Sequence, residues 1–263
     1  MSNKPRVIVA GAFGKMGKSA IETLLQNSDS FQLVAGVVRD LGNIPKETKE
    51  FYNEHKLTLS DNLEEQIHLG ADILVELTTP DSVFENSKLA LRNGVRPVIG
   101  ATGLSEDDIN ELSSLANKSQ TGALIAPNFA IGAILMMKFS ALAAKYMKNF
   151  EIIEMHHDKK ADAPSGTALK TAQMISKNIS GSASVNVNDG YPARGEKAYN
   201  TRIHSVRLPG LVAHQEVIFG GQGQTLTIRH DSIDRSSFMP GILLACQKVM
   251  ELDKLVYGLD SLI

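Results

Sequence analysis

The sequence predicts an α/β protein: an N-terminal, doubly wound parallel sheet joined to a second, α+β domain on a mainly antiparallel or mixed sheet. Three observations carry this expectation. In the first half, short and nearly all-apolar runs alternate with helical patterns, as parallel strands covered on both faces require. In the second half, consecutive strand-like runs are joined by glycine-containing turns. The length of 263 residues accommodates two ordinary domains.

The elements follow in order. Val7 to Ala10 is apolar, then glycines, then a helical stretch from Lys18 to Gln26. Phe31 to Val38 is a second, valine-rich strand, followed by a polar insertion around Gly42 to His55. A helix pattern at Leu63 to Leu69 precedes the strand Ala71 to Leu77. Ser82 to Asn93 and Ser105 to Lys118 read as helices, with strands at Pro97 to Gly100 and Ala123 to Ala126. Beyond Pro127, Ile131 to Tyr146 reads as a helix and Phe150 to Met155 as a strand. A polar loop and a helix from Thr167 to Asn178 follow. Strands are expected at Ser184 to Val187, after a Gly/Ser-rich patch at Ser180 to Ser184, and at Ile203 to Leu208, Glu216 to Phe219 and Gln224 to Arg229. The last helix, Phe238 to Leu252, matches the first domain's type. The expected domains are therefore 1–127 with 235–263, and 128–234.

Composition narrows the function classes. Hydrophobic residues make up 43% and charged residues 21%, enough for a packed core. The net charge of −2 carries no basic surplus for nucleic-acid phosphates. The single cysteine, Cys246, excludes an internal disulfide framework and lies in an apolar run, as an inert core thiol does. The longest apolar stretch, Ala130 to Met137, is far short of the roughly 20 residues a membrane helix needs. Met1 to Arg6 leads into a strand with no signal-peptide pattern, so a cytoplasmic protein is expected.

Gly11, Gly14 and Gly17 stand between a strand and a helix at G-x-x-G-x-x-G spacing. Lacking Cβ atoms, they let the backbone turn tightly and approach a pyrophosphate, with N–H groups and the positive helix end facing the anion. The first domain is thus expected to be Rossmann-like and dinucleotide-binding. Cofactor choice belongs to the tip of the second strand, Val37-Val38-Arg39-Asp40. Val38 puts no acid there for a ribose, and Arg39 is placed for a 2′-phosphate, with Lys15 as a helper. NADPH is favoured over NADH, although Asp40 could reach a ribose. Tyr52 and Lys56 repeat the Tyr-x-x-x-Lys spacing of the short-chain dehydrogenase pair, but fall in the polar insertion, too early after the glycine loop, and read as exposed.

The densest polar stretch runs from Glu154 through His156, His157, Lys159, Lys160 and Asp162 to Pro164-Ser165-Gly166-Thr167-Ala168, joining a strand to a helix. In an extended chain, His156 and His157 point to opposite sides. Adjacent histidines lack helical ligand spacing and the lysines repel a cation, so no metal is expected. Histidine beside lysine suits proton transfer and an anionic substrate. Ser165 can cap the helix, whose free N–H groups suit a carboxylate.

This segment resembles the signature of the dihydrodipicolinate reductase family. Val9-Ala10-Gly11-x-x-Gly14-Lys15-Met16-Gly17 resembles the family's cofactor loop, and Leu77-Thr78-Thr79-Pro80, Gly100-Ala101-Thr102-Gly103 and Pro127-Asn128-Phe129 its later cofactor segments. Val206-Arg207, Gly210, His214 and Phe219 resemble its C-terminal sheet. The resemblance implies that His156 is the acid/base histidine and Lys160 the proton-donating lysine. His157, Gly166 and Thr167 match positions that hold substrate, and Ser165 at the helix start is counted with them. Gly11, Ala12, Phe13, Gly14, Lys15, Met16 and Arg39 fall to the cofactor loop and strand tip. Gly100, Ala101, Thr102, Ala126, Pro127, Asn128 and Phe129 fall to the nicotinamide side. Two departures stand out: Val38 where the family often has an acid, and Ala101 in place of a common threonine.

The implied activity is NAD(P)H-dependent reduction of 4-hydroxy-tetrahydrodipicolinate, or of its dehydrated form, in lysine and diaminopimelate biosynthesis. The resemblance also implies a homotetramer joined through the second domain, a small cyclic dicarboxylate as substrate, and neither nucleic acid nor membrane as partner. The alternatives are another two-domain amino-acid or semialdehyde dehydrogenase, and a non-catalytic NAD(P)H sensor.

Overall fold

β1 (Arg6–Ala10) opens the chain with residues 7–10 fully buried, which is what a strand covered on both faces requires. A computed structural model describes residues 4–179 and 191–263. After β1 come α1 (Lys15–Gln26), β2 (Gln32–Val37), α2 (Lys46–Glu54), β3 (Thr58–Ser60), α3 (Leu63–His68), β4 (Ile73–Glu76), α4 (Pro80–Arg92), β5 (Arg96–Ile99), α5 (Glu106–Ser119) and β6 (Ala123–Ile125). Next are α6 (Ile131–Ala143), β7 (Asn149–His156), α7 (Gly166–Ser176), β8 (Glu196–Ala198), β9 (Thr201–Arg207), β10 (Ala213–Gly221) and β11 (Gln224–Ser232). α8 (Met239–Val249) and β12 (Leu255–Tyr257) close the chain.

Two units result, 1–129 with 238–263, and 130–237. The first unit holds a seven-stranded sheet in the order β12-β6-β5-β4-β1-β2-β3, with every pairing parallel. The order reverses at β1, between β2 and β4, which is where open α/β sheets bind ligands beyond their carboxyl ends. Ile8, Ala35, Leu74 and Ala90 lie in one core cluster of this unit, and Val83, Ile99, Leu112 and Ile125 in another.

The second unit holds a five-stranded mixed sheet, β11-β10-β7-β9-β8, in which β7 and β9 alone pair parallel. β7 alternates strictly: Phe150, Ile152 and Glu154 are buried, while Glu151, Ile153 and Met155 are half-buried on the other face. Ile152, Ala168, Ala172, Ile175, Ile203 and Phe219 share one core.

Several expectations need correction. The polar stretch around 42–55 contains a helix, α2, and Tyr52 is 3% exposed rather than solvent-facing; Lys56 is exposed as expected. The reason is Gly36: a Cβ there would lie 2.1 Å from the Tyr52 hydroxyl, so the ring occupies space that any other residue would fill. Burial holds the Tyr52 hydroxyl well above its usual range of ionisation. The three-residue strands β3, β8 and β12 are not marked in the sequence, whereas the equally short β6 is, because all its residues are apolar and buried. α1 begins at Lys15 rather than Lys18, and α6 stops at Ala143 rather than Tyr146. The strand expected at Ser184 to Val187 and the Gly/Ser patch before it lie outside the described residues. Cys246 is buried, and burial pushes its thiol up to about 12. No helix among the described residues is long and apolar enough to cross a membrane.

Candidate active site

The glycine loop has the geometry its spacing predicts. Gly11 has φ +78°, and a Cβ on it would lie 2.4 Å from the Leu77 carbonyl oxygen. A Cβ on Gly17 would lie 2.2 Å from the Gly11 carbonyl oxygen, so both glycines are sterically required. The N–H groups of Gly11 and Ala12 donate to the Val37 carbonyl, tying the loop to the end of β2. Gly14 stands at the N-cap of α1 without a side-chain cap, and the first turn holds no acid. By contrast, Asn62, Ser105 and Ser165 close the starts of α3, α5 and α7. The α1 start is therefore an N–H cradle with its dipole end open, the chemistry a pyrophosphate needs.

A cleft of about 560 Å³ lies here, walled by Gly11, Phe13, Gly14 and Arg39 together with Thr78 and Thr79. Arg39 donates to Thr79 Oγ1 at 3.2 Å. Asp40 accepts from the Gly42 N–H at 2.7 Å and from Asn43 Nδ2 at 2.6 Å, so its carboxylate closes its own turn rather than pairing with Arg39. Gly100 and Phe129 meet beside Leu77: a Cβ on Gly100 would be 2.5 Å from the Phe129 ring. Ala126 donates to the Ile99 carbonyl, which keeps this segment at the carboxyl edge of the sheet. Of the expected cofactor residues, Ala12, Lys15, Met16, Gly100, Ala101, Thr102, Ala126, Pro127, Asn128 and Phe129 do not wall the cleft. Ala12 is buried, and Ala101 packs against the core cluster containing Val83 and Ile99. The donor set, bare backbone and cleft size fit a dinucleotide.

Beneath the cleft lies a residue that the motif reading passed over. Glu76 ends β4 at 0% exposure. It accepts from the Thr78 N–H at 2.8 Å, from the Thr78 hydroxyl, and from Asn86 Nδ2 at 3.0 Å. All three donors are neutral. Burial outweighs them and raises the carboxyl above its ordinary value.

The second unit carries the histidine segment. His156 ends β7, and its Nδ1 lies 2.5 Å from Glu154 Oε2. Glu154 is at 0% exposure, and Arg207 grips both its oxygens at 2.8 and 2.7 Å. The Ser165 N–H donates to Glu154 Oε1 at 3.2 Å. Burial alone would raise the Glu154 carboxyl, but hydrogen bonds from His156 and Arg207 overcome it and hold it at about 2. Arg207 also donates to the Asp162 carbonyl at 2.8 Å, and Lys160 Nζ reaches the two Asp162 carboxylate oxygens at 2.6 and 2.8 Å. Arg207 and Lys160 thus meet at Asp162, one on its backbone carbonyl and the other on its carboxylate, and His156 is joined to Arg207 through Glu154. Sequence reasoning gave Glu154 and Arg207 no role, because Arg207 arrives by parallel pairing, opposite His156 across the β7–β9 ladder.

Ser165 caps α7 as expected, its hydroxyl accepting from the Ala168 N–H at 3.2 Å. With its own N–H on Glu154 and its side chain buried, it shapes the turn and presents no free polar group. His157 and Gly166 are exposed and Thr167 is half-buried, and a Cβ built on Gly166 would meet open space beyond its own helix. Among the described residues, no cluster of three or more His, Cys, Asp or Glu is placed to hold a metal.

An anion cradle at the switch point of a parallel sheet and a charged histidine–lysine segment on a separate unit belong to one class, the two-domain NAD(P)H-dependent oxidoreductases. Comparison with known proteins narrows the class. Residues 5–129 match the model for the N-terminus of dihydrodipicolinate reductase, and residues 132–263 match that for its C-terminus. A 4-hydroxy-tetrahydrodipicolinate reductase of Halalkalibacterium halodurans is 49% identical, covering 98% of this chain and 99% of its own. One from Bacillus subtilis is 46% identical over the whole of both chains. Among solved structures, a dipicolinate-bound dihydrodipicolinate reductase from Paenisporosarcina sp. TG-14 superposes with a TM-score of 0.87 at 45% identity, covering 99% of this chain and 100% of its own. The chain belongs to the dihydrodipicolinate reductase family. It is an oxidoreductase of lysine and diaminopimelate biosynthesis whose N-terminal unit is a nucleotide-binding Rossmann domain for NAD(P)H.

Proposed function

We propose that the chain reduces 4-hydroxy-tetrahydrodipicolinate, or its dehydrated form dihydrodipicolinate, to tetrahydrodipicolinate, with NADPH favoured over NADH. The observation that carries the residue roles is the chain of contacts holding His156 and Lys160 on one segment. NAD(P)H supplies a hydride when bound. One hydride and one proton saturate one double bond of the conjugated ring; from the hydroxylated ring, one water also leaves. His156 or Lys160 delivers the proton on the ring-nitrogen side, where charge builds as hydride arrives. Lys160 exchanges the Asp162 carboxylate for a substrate carboxylate, like for like. His157, Gly166 and Thr167 at the α7 start hold the dicarboxylate, with Ser165 setting the turn that presents them.

Gly11 to Met16 cradle the pyrophosphate, and Gly100 to Thr102 and Ala126 to Phe129 flank the nicotinamide. Arg39 reaches the 2′-phosphate. The NADPH preference is supported by an Asp40 carboxylate already spent on Gly42 and Asn43. The same reading assigns residues 1–129 and 238–263 to cofactor binding, and 130–237 to substrate binding and assembly. It has the protein working in the cytoplasm as a homotetramer, with neither nucleic acid nor membrane as partner. Assembly through the second unit is supported by exposed residues 224–227 of β11 and by half-buried Ile153 and Ile218 on the open sheet face.

The test is cofactor oxidation on the fresh condensation product of pyruvate and aspartate semialdehyde, with NADPH and NADH in parallel. Oxidation should require both protein and condensation product. His156→Ala and Lys160→Ala should each lower kcat by roughly 10²–10⁴-fold, and Arg39→Ala should raise KM for NADPH more than for NADH. Undiminished turnover in both His156→Ala and Lys160→Ala would overturn the residue roles. Folded, nucleotide-binding protein with no turnover would overturn the reaction.

A further inference from the structure

We infer that Glu154 is a positioning residue that fixes the tautomer of His156, with Arg207 keeping it an acceptor. The inference rests on the acid–base reading of His156 and deepens it. Glu154 is ionised and therefore accepts only. With Oε2 2.5 Å from Nδ1, the ring must carry a proton on Nδ1, so Nε2 is the nitrogen that takes up and delivers the catalytic proton and holds a lone pair in the neutral ring. Oε2 meets His156 Nδ1 and Arg207 Nη1, Oε1 meets Arg207 Nη2 and the Ser165 N–H, and the Ser205 hydroxyl also donates to the carboxylate. Of these donors, His156 alone can become an acceptor by moving a proton between its ring nitrogens. Apart from the Ser205 hydroxyl, which can turn to accept, the donors around the carboxylate leave the choice of proton position to the imidazole.

An isosteric substitution exposes this. In Glu154→Gln one oxygen becomes an NH₂ group. Placed at Oε1, it would meet two fixed donors. Placed at Oε2, it meets Arg207 and His156, and the histidine can yield by accepting on Nδ1. The ring then carries its proton on Nε2, the opposite tautomer. A merely structural ion pair predicts lost stability and no change in the ring.

The experiment is ¹⁵N NMR of the full chain with labelled histidine, at about pH 8.5, above the ordinary histidine range. His156 is assigned by the resonance missing from His156→Gln. The native ring should show a protonated Nδ1 and an unprotonated Nε2, and Glu154→Gln should show the reverse. In the assay, Glu154→Gln should lose at least about a hundredfold in kcat with KM within about threefold. Glu154→Asp, which keeps the acceptor, should recover most of that loss. A native ring protonated on Nε2 overturns the inference without any variant. So does a folded Glu154→Gln that keeps the native tautomer, or one with native kcat while His156→Ala is inactive. If the tautomer inverts in Glu154→Gln and His156→Ala still turns over, the positioning stands and the acid–base reading fails.

Discussion

Two carboxylates sit at 0% exposure near the carboxyl ends of strands, one in each unit, and their environments drive them in opposite directions. Glu76 has only neutral donors, two from Thr78 and one from Asn86, and its carboxyl rises. Glu154 has a guanidinium on both oxygens and an imidazole beside it, and its carboxyl falls to about 2. Burial penalises both. The sign is decided by whether a cation shares the burial. A carboxylate with neutral partners can shape a loop, as Glu76 does for Thr78 at the wall of the cleft. One clamped by a cation stays charged and can dictate the proton position on a neighbour.

The comparison is broken most severely by removing the cation. Arg207→Leu leaves Glu154 buried and uncompensated, and unfolding at neutral pH should show about 3–5 kcal/mol of lost stability. A loss under about 1 kcal/mol would mean that His156 and the Ser165 N–H suffice.

Acid sharpens it next. The folded Glu154 carboxyl is depressed from 4.5 to about 2. Its contribution is therefore full above the unfolded value and drains as pH falls through the folded one. That corresponds to about 3 kcal/mol lost between about pH 5 and pH 2, at about 1.4 kcal/mol for each unit. Denaturant titrations across that window should show a shallower slope in Glu154→Gln than in the native chain, the remainder coming from other depressed carboxyls such as Asp162 and Asp231.

The smallest effect has the opposite sign. Glu76 has a raised folded value, so its contribution is present below the unfolded value and is lost as pH rises. Glu76→Gln should therefore stabilise the chain at pH 7, by on the order of 1 kcal/mol, because Asn86 can turn its amide oxygen toward the new NH₂. The gain should shrink as pH falls towards 4. Destabilisation at pH 7 would show that the Thr78 hydrogen bonds need a full charge.

Legibility from sequence followed the range of the forces involved. Elements whose pattern is local are readable: β1 and β4 from short apolar runs, α7 from its serine cap, the glycine loop from spacing. Ends set by the last packed residue were misplaced by a few positions, as at α1 and α6. α2 was missed because it is polar almost throughout, and the burial of Tyr52 depends on a glycine on another strand. In the site, His156, Lys160 and the Ser165 cap were visible because they share one short segment. Arg207 lies 53 residues beyond Glu154, and nothing local marks it as a partner.

By itself, the sequence determined which residue types meet in one loop, where glycine is sterically required, and that strands and helices alternate. These are consequences of neighbours a few positions apart, acting through backbone sterics and hydrophobic period. Only the tertiary structure decided which buried acid is held charged and which is pushed toward its neutral form. The parallel register of β7 with β9 sets His156 opposite Arg207, and so brings a guanidinium to Glu154. Glu76, buried just as deeply, accepts only from neutral donors. Charge inside a protein is set by what lies within a few ångströms in space, and in this fold that neighbour comes from a distant part of the chain.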